Sequence, residues 1–532
     1  MIRKLLPFLL VLALLPLALI NCLGEDEEGD ADTDVDTDVD TDADTDTDTD
    51  ADFTVTNVDA TSGSGEATPL DPAAGTETVV VMPYSLATTG GENAFAMTAS
   101  AEPRTEPPPL PRRRPDGPDL TALTTRVAFD QYLRARVREW LLDLPDRSEL
   151  VQGPPRALPT VGDTRDFGFE TGATISAEAM AVGPGAVLWV DVDDKDSIAA
   201  ADITHLHGTF IEISAPRDKV LFDYDAAVAD KDGDGAVALL MTGKVNDVGE
   251  GFAGFFNAKD FGTGANSNEM DVLYIGTPAN VGSLAGIDAT MAHEFQHLIN
   301  FSNKVVKHGL ALPEETWLDE ALAHLAEDVC GQGADSVNAV YAFLENFDTT
   351  SLTLTNYDGS SDEVRNRGAG YLFALYLVEQ AGGLSYSGGT ATGGGVAVLQ
   401  ALAGSDKQGI ANVEAAAGRS FDDVFADWLA AVALDGTGAT TDPRYNFRLP
   451  TEDPQTGALH GIDLRGSREN SEGIEVTLEG PATEDFDETE IDGEVVAGGA
   501  MHYLYYAPAG ETVTLSISGD ASAGLGFLVF VR

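Results

Sequence analysis

The chain has 532 residues, too many for one hydrophobic core, and its 43% hydrophobic content is that of a globular protein. Its formal net charge of −59 would repel nucleic-acid phosphates, and the acid-rich stretch 25–52 is only part of it: 73 acids against 30 bases remain without that stretch. There are two cysteines, Cys22 and Cys330, which excludes a four-cysteine zinc site.

Residues 1–21 read as an export signal, with Arg3 and Lys4 ahead of an apolar run from Leu5 to Ile20 that is shorter than a membrane span. Leu19-Ile20-Asn21-Cys22-Leu23 resembles a bacterial lipoprotein signal, in which the cysteine becomes the lipidated first residue. Asn21 departs from the Gly, Ala or Ser of that pattern. The resemblance implies an exported protein at the bacterial outer membrane or cell surface, touching the membrane only through a lipid on Cys22; plain secretion is the alternative. Cys330 is then left without a partner and reads as a buried thiol. Residues 22–52 carry 16 acids and no Lys or Arg after Gly24, which predicts a disordered, extended spacer. Residues 53–101, with runs such as Thr78–Met82 between turn residues, predict a small β domain. Residues 102–118 hold Pro107–Pro109 and Arg112–Arg114, a stiff linker in which a trypsin-like cut could separate a pro-segment.

Residues 119–450 form the main expected domain. A helical period runs through Leu120, Leu123, Val127, Tyr132, Val137 and Leu141. Strands are expected at Ala186–Val192, Ile203–Ile213, Val220–Tyr224, Val237–Met241 and Val272–Ile275. His205 and His207 alternate on the second of these and read as structural; Asp191, Asp193, Asp194 and Asp196 read as a solvated strand end. Asp230-Lys231-Asp232-Gly233-Asp234-Gly235 resembles the start of a calcium loop. Its twelfth position is Met241 rather than Glu, which excludes a regular EF-hand. Two readings stay open: a Ca²⁺ site of another kind on Asp230, Asp232 and Asp234, or an Asp/Gly turn. From Ser283 the pattern turns helical, at about 284–306, 314–330, 335–347, 366–381, 395–403, 408–417 and 420–433. After Pro443 it returns to β, and residues 451–532 predict a C-terminal β-sandwich.

The chemistry concentrates at His293-Glu294-Phe295-Gln296-His297. On a helix, positions i and i+4 share a face, so both imidazoles can meet one metal ion while Glu294 stands beside it to handle a water proton. Strands leading into such a helix suit an α+β protease domain.

A zinc site of this kind needs a further protein ligand and an open position. Glu320 stands 23 residues after His297, within Trp317-Leu318-Asp319-Glu320-Ala321-Leu322-Ala323. This resembles the gluzincin clan of metalloproteases, and more closely the hyicolysin-like family. Ala292–Phe301 and Thr316–Glu327 carry the likeness, with Gly370–Leu377 and Phe421–Leu429 adding to it, over roughly residues 165–450. The family has Gly after the ligand Glu, where Ala321 stands here. The resemblance implies a zincin-like α+β fold with flanking β domains, Zn²⁺ held by His293, His297 and Glu320, Glu294 as general base, and protein or peptide substrates. It also points to Tyr371 and Arg367 as donors to the reacting carbonyl oxygen; Tyr376 and Tyr341 compete, and core packing is the other reading of Tyr371. His324, at i+4 from Glu320, reads equally as a partner orienting a ligand or as a packed helix residue. The alternative function is a surface adhesion or binding protein with a structural zinc, against which Glu294 speaks. No Gly-x-Met-Glu-Asn-type segment precedes the motif, which ranks an aminopeptidase below an endopeptidase.

Overall fold

The computed structural model describes residues 53–67, 78–88, 91–103, 118, 121–144, 147–248, 252–264, 266–354, 362–387, 390–508 and 510–531. The expected export signal, Cys22, the acidic spacer and the Arg112–Arg114 run lie outside the described residues. Among the described residues no helix is long and apolar enough to cross a membrane.

The chain opens with β1 (Val55–Asp59), β2 (Ser64–Glu66), β3 (Thr78–Ser85) and β4 (Glu92–Ala99), followed by helix α1 (Thr121–Asp143). Then come β5 (Thr164–Gly168), β6 (Thr174–Gly183) and β7 (Gly185–Asp191), and the short helices α2 (Ala200–Thr209), α3 (Ala215–Leu221) and α4 (Ala226–Ala229). Strands β8 (Ala236–Met241), β9 (Gly254–Phe256) and β10 (Val272–Ile275) complete the first half. The helical half holds α5 (Pro278–Val281), α6 (Leu284–Phe301), α7 (Thr316–Val329), α8 (Ser336–Glu345) and α9 (Asp362–Gln380). It continues with the hairpin β11 (Ser385–Ser387) and β12 (Thr390–Thr392), then α10 (Gly394–Gly404), α11 (Gly409–Ala417) and α12 (Phe421–Leu434). Two further hairpins follow, β13 (Thr451–Glu452) with β14 (Leu459–His460) and β15 (Ser467–Glu469) with β16 (Glu475–Thr477). The chain ends with β17 (Glu484–Phe486), β18 (Glu490–Val496), β19 (Tyr503–Tyr506), β20 (Leu515–Gly519) and β21 (Leu525–Val531).

The fold is a mixture of helices and sheets, of α+β type. The central sheet has the order β5-β6-β7-β8-β10-β9, parallel between β7, β8 and β10 and antiparallel elsewhere. Its middle strands are apolar along their whole length because both faces are covered. On β7, Leu188 and Val190 join the helical core with Met291 and Phe295 of α6. Val187 and Trp189 point the other way, into a second core with Phe129 and Leu133 of α1. Strand β9 is left at the edge, beside α6. Ser283 caps α6 by accepting the Gly286 N–H, and from Ile287 to Phe301 only His297 is not fully buried.

The expected helices from 284 onward all form, their ends within a few residues of the pattern, except that α6 passes into a π turn at Ser302–Lys307. The expected strand Ile203–Ile213 is instead α2 and a π turn at Phe210–Ser214. Its buried residues Ile203, Leu206, His207 and Phe210 lie three and four apart, a helical stripe that the alternating histidines hide. Val220–Tyr224 is likewise no strand: α3 runs to Leu221. Asp191 is not solvated but buried, accepting the Thr242 hydroxyl at 2.8 Å.

The terminal β segments combine. One sheet has the order β1-β21-β3-β19-β17 and the other β18-β4-β20-β2, so residues 53–101 and 484–531 make one sandwich rather than two separate domains. Strand β3 shows why: Val79 and Val81 fill the sandwich with Phe527 and Val529, whereas Val80, Met82 and Tyr84 pack on the helical core. A strand buried on both faces must be central, and its neighbours come from the far end of the chain. Residues 451–477 stay outside the sandwich and pack on the helices. There Arg217 lies 2.5 Å from Asp453, which also meets His460 Nε2 at 2.9 Å, all three buried.

Candidate metal centre

Helix α6 places His293, Glu294 and His297 where the sequence expects them, with the two imidazole rings 4.7 Å apart and nearly perpendicular. Helix α7 brings up Glu320, whose Oε2 lies 3.5 Å from His293 Nε2 and whose Oε1 lies 3.8 Å from His297 Nε2. His293, His297 and Glu320 form a group that could hold a metal ion, each offering one ligand atom within 4.8 Å of the others.

The rest of each imidazole explains this orientation. His293 Nδ1 is 2.7 Å from Glu327 Oε1, and His297 Nδ1 is 3.2 Å from Asp319 Oδ2. A neutral imidazole that donates from Nδ1 to a carboxylate carries its lone pair on Nε2. For His293, hydrogen-bonded to Glu327, that lone pair faces Glu320. His297 Nδ1 is near Asp319 without hydrogen-bond alignment, and its Nε2 faces Glu320 too, both at distances beyond a good hydrogen bond with a cation-sized interval between. Nitrogen and oxygen ligands at about 2.0–2.1 Å from a tetrahedral ion stand roughly 3.3 Å apart, so the donor set and its spacing fit zinc. Glu327 feels burial, which would raise its pKa, but His324 and His293 outweigh it and hold the carboxylate well below its ordinary range. Asp319 behaves alike: burial opposes, His297 and Arg134 prevail, and its pKa falls to about 2.

Glu320 is also gripped by two arginines. Arg134 of α1 reaches Oε1 through Nη2 at 2.6 Å and Asp319 through Nη1 at 2.7 Å. Arg367 of α9 donates to Oε2 at 2.6 Å and to Asp130 of α1 at 2.9 Å. Against burial, Arg367 and Arg134 press the Glu320 pKa well below the usual carboxylate value. A carboxylate offers about four lone-pair sites, so these contacts leave room for coordination.

The polar and ring partners of His324 are Glu327 and His293. Its Nδ1 lies 3.3 Å from Glu327 Oε1, and its ring is 5.0 Å from that of His293; burial lowers its pKa, which favours the neutral form. His293, His324 and Glu327 make a second grouping of three ligand atoms. Within it the 2.7 Å separation is a hydrogen bond, too short for two ligands of one zinc ion.

Glu294 is buried and receives the Phe256 N–H of edge strand β9 at Oε2, 2.9 Å away. Glu294, His297 and Glu320 line a cleft of about 710 Å³, together with Arg134, Leu133, Val137, Phe255, Phe256 and Phe301. Neither expected donor to the carbonyl oxygen faces this cleft. Arg367 is committed behind Glu320 to Glu320 and Asp130, and Tyr371 is fully buried next to Asp328. Tyr376 donates to Arg444 O at 3.2 Å.

Four residues of the centre escape a reading of the sequence. Glu327 lies seven residues after Glu320, two turns along the same face, a spacing that could have marked it. Asp319 adjoins Glu320. Arg134 and Asp130 come from α1, nearly 200 residues upstream, with no local signal. Away from the centre, Asp230 and Asp232 sit together, but their third neighbour is Asp271; Asp234 instead accepts the Ala236 N–H at 2.8 Å.

No protein-family model matches the chain. Neutral metalloprotease ShpI of Staphylococcus hyicus is 27% identical to it over 161 residues, 29% of this chain and 37% of that protein. The chain thus spans well under half the length of this distant relative.

Proposed function

We propose that the chain is an exported, zinc-dependent endopeptidase that hydrolyses peptide bonds in proteins or peptides. The observation that carries this reading is the convergence of His293 Nε2 and His297 Nε2 on Glu320, with His293 held by its hydrogen bond to Glu327 and His297 lying beside Asp319. The similarity to a metalloprotease supports it, as do Arg3–Ile20 for export. Cys22 is the proposed lipid anchor.

His293, His297 and Glu320 would hold the ion. Zinc bound there supplies a Lewis acid and lowers the pKa of a bound water towards about 7. Glu294, oriented by the Phe256 N–H, takes the proton of the attacking water and passes it to the leaving amine. Edge strand β9 borders the cleft, and its open side suits an extended peptide pairing as an added strand. Arg134 lines the cleft and keeps a fifth of its side chain exposed, so it replaces Tyr371 and Arg367 as the donor that faces the developing oxyanion.

The test is digestion of casein and a peptide library by the full chain and its Glu294→Gln variant, with metal analysis of both. Cleavage abolished by a zinc chelator and by the substitution, with zinc retained in the variant, is expected. Equal cleavage by the variant overturns the reading, and zinc binding without hydrolysis by the wild type favours a surface binding protein instead.

A further inference from the structure

The loop between α4 and β8 holds Asp230 and Asp232, and Asp271, just before β10, lies beside them. One carboxylate oxygen from each lies within 4.8 Å of the others. All three side chains are buried, at 6%, 2% and 1% exposure. Among the described residues no hydrogen-bond donor reaches Asp230 Oδ1 or Asp232 Oδ1. The nearby cations do not fill the gap. Lys231 sends its ammonium away, to the carbonyls of Glu149 and Val151 at 2.5 and 2.6 Å. Arg156 meets only Asp232 Oδ2, at 3.5 Å, and keeps 39% of its side chain exposed.

Lys219 attracts Asp271 and Asp230, and Arg165 attracts Asp232, only at longer range than an ion pair, and three buried carboxylates so weakly balanced are costly unless an ion joins them. We propose that Asp230, Asp232 and Asp271 bind one divalent cation of calcium's size, which ties the starts of β8 and β10 together. All-oxygen, anionic ligands are those of a hard cation. At calcium–oxygen distances of about 2.3–2.6 Å, ligands on opposite sides of the ion stand up to about 5 Å apart, in keeping with the spacing seen. The loop turns through left-handed backbone at Gly233 and Gly235, with φ of +68° and +85°, where a side chain would be strained. The third acid comes from the tertiary fold, whereas the EF-hand position would fall on Met241, buried in β8. Burial, with the neighbouring acids adding to it, pushes the Asp271 pKa well above its ordinary range and that of Asp232 to about 6. Strand β10 pairs with β9, whose Phe256 holds Glu294, so the ion would brace the sheet on which the cleft rests.

The test is thermal unfolding of the full, chelator-treated chain with added CaCl₂ or MgCl₂, compared with Asp232→Asn and Asp271→Asn. It needs no peptidase activity, and a His293→Ala/His297→Ala variant should respond to calcium like the wild type. The expected result is a wild-type Tm that rises by several degrees with millimolar calcium and much less with magnesium, while the Asn variants show no rise. A wild-type Tm indifferent to calcium, an equal rise with magnesium, or an equal rise in the Asn variants overturns the proposal. If neither Asn variant folds, the wild-type titration decides alone.

Discussion

Two buried clusters of carboxylates, built on opposite principles, stand in one domain. Around Glu320, three acids have cationic or imidazole partners supplied by the chain: Arg134 and Arg367 for Glu320, His297 and Arg134 for Asp319, His293 and His324 for Glu327. Around Asp271, the acids have two backbone N–H donors and one 3.5 Å ion pair, from Arg156 to Asp232, and otherwise face one another. The first cluster is organised before any ion arrives, so its ligands are aimed and its proton positions set, as chemistry requires. The second is left incomplete, a frame that an ion would close. On the two proposals, what surrounds a buried acid, more than the acid itself, separates a site for reaction from a site for bracing.

The largest expected effect tests whether the first cluster reacts at all. Glu294→Gln should fold, keep its zinc and lose about 10²–10⁴-fold in peptidase rate, measured on a peptide substrate. Wild-type rates in that variant would reduce the centre to a structural polar core, no different in kind from the second. Next, Arg367→Met removes a cation from the first cluster and leaves Glu320 and Asp130 short of a partner. A loss of about 3–5 kcal/mol is expected, read as a lower urea midpoint. An unchanged midpoint would mean that Arg134 alone balances Glu320. A smaller effect attaches to Glu327→Gln, which unfixes the His293 tautomer: zinc affinity should fall about 10–100-fold by competition with a chelating dye, while the fold persists. Unchanged affinity would show that Glu327 does not aim the ligand.

Much of this contrast was legible in the sequence where chemistry acts locally. His293, Glu294 and His297 are set by one helical turn, and the helices from Ser283 onward by their apolar period. Asp230 and Asp232 share a loop and could be paired by eye. The rest depends on distant pairing. Arg134 lies 186 residues from Glu320, and Asp271 some 40 from Asp230, and nothing in their neighbours announces either meeting. The sandwich fails for the same reason, since β3 pairs with β19 and β21 more than 400 residues on. Its run Val79-Val80-Val81-Met82 did record burial on both faces, but not by what. Tyr371 was drawn toward the metal by resemblance, whereas its helix turns it toward Asp328.

The smallest expected effect has the most telling sign. In calcium-free buffer Asp232→Asn removes one of three buried acids that disfavour one another's ionisation, so it should leave stability unchanged or raise it by about 1 kcal/mol. Arg367→Met, in the other cluster, goes the opposite way because it removes a partner rather than a repulsion. Urea unfolding of both variants in the same chelated buffer sets the two signs side by side. If Asp232→Asn destabilises the calcium-free chain as Arg367→Met does, then Arg156 already neutralises Asp232. Both clusters would then be closed networks of the protein's own charges, and the distinction between a site that reacts and one that braces would have to rest on Glu294 and the cleft alone.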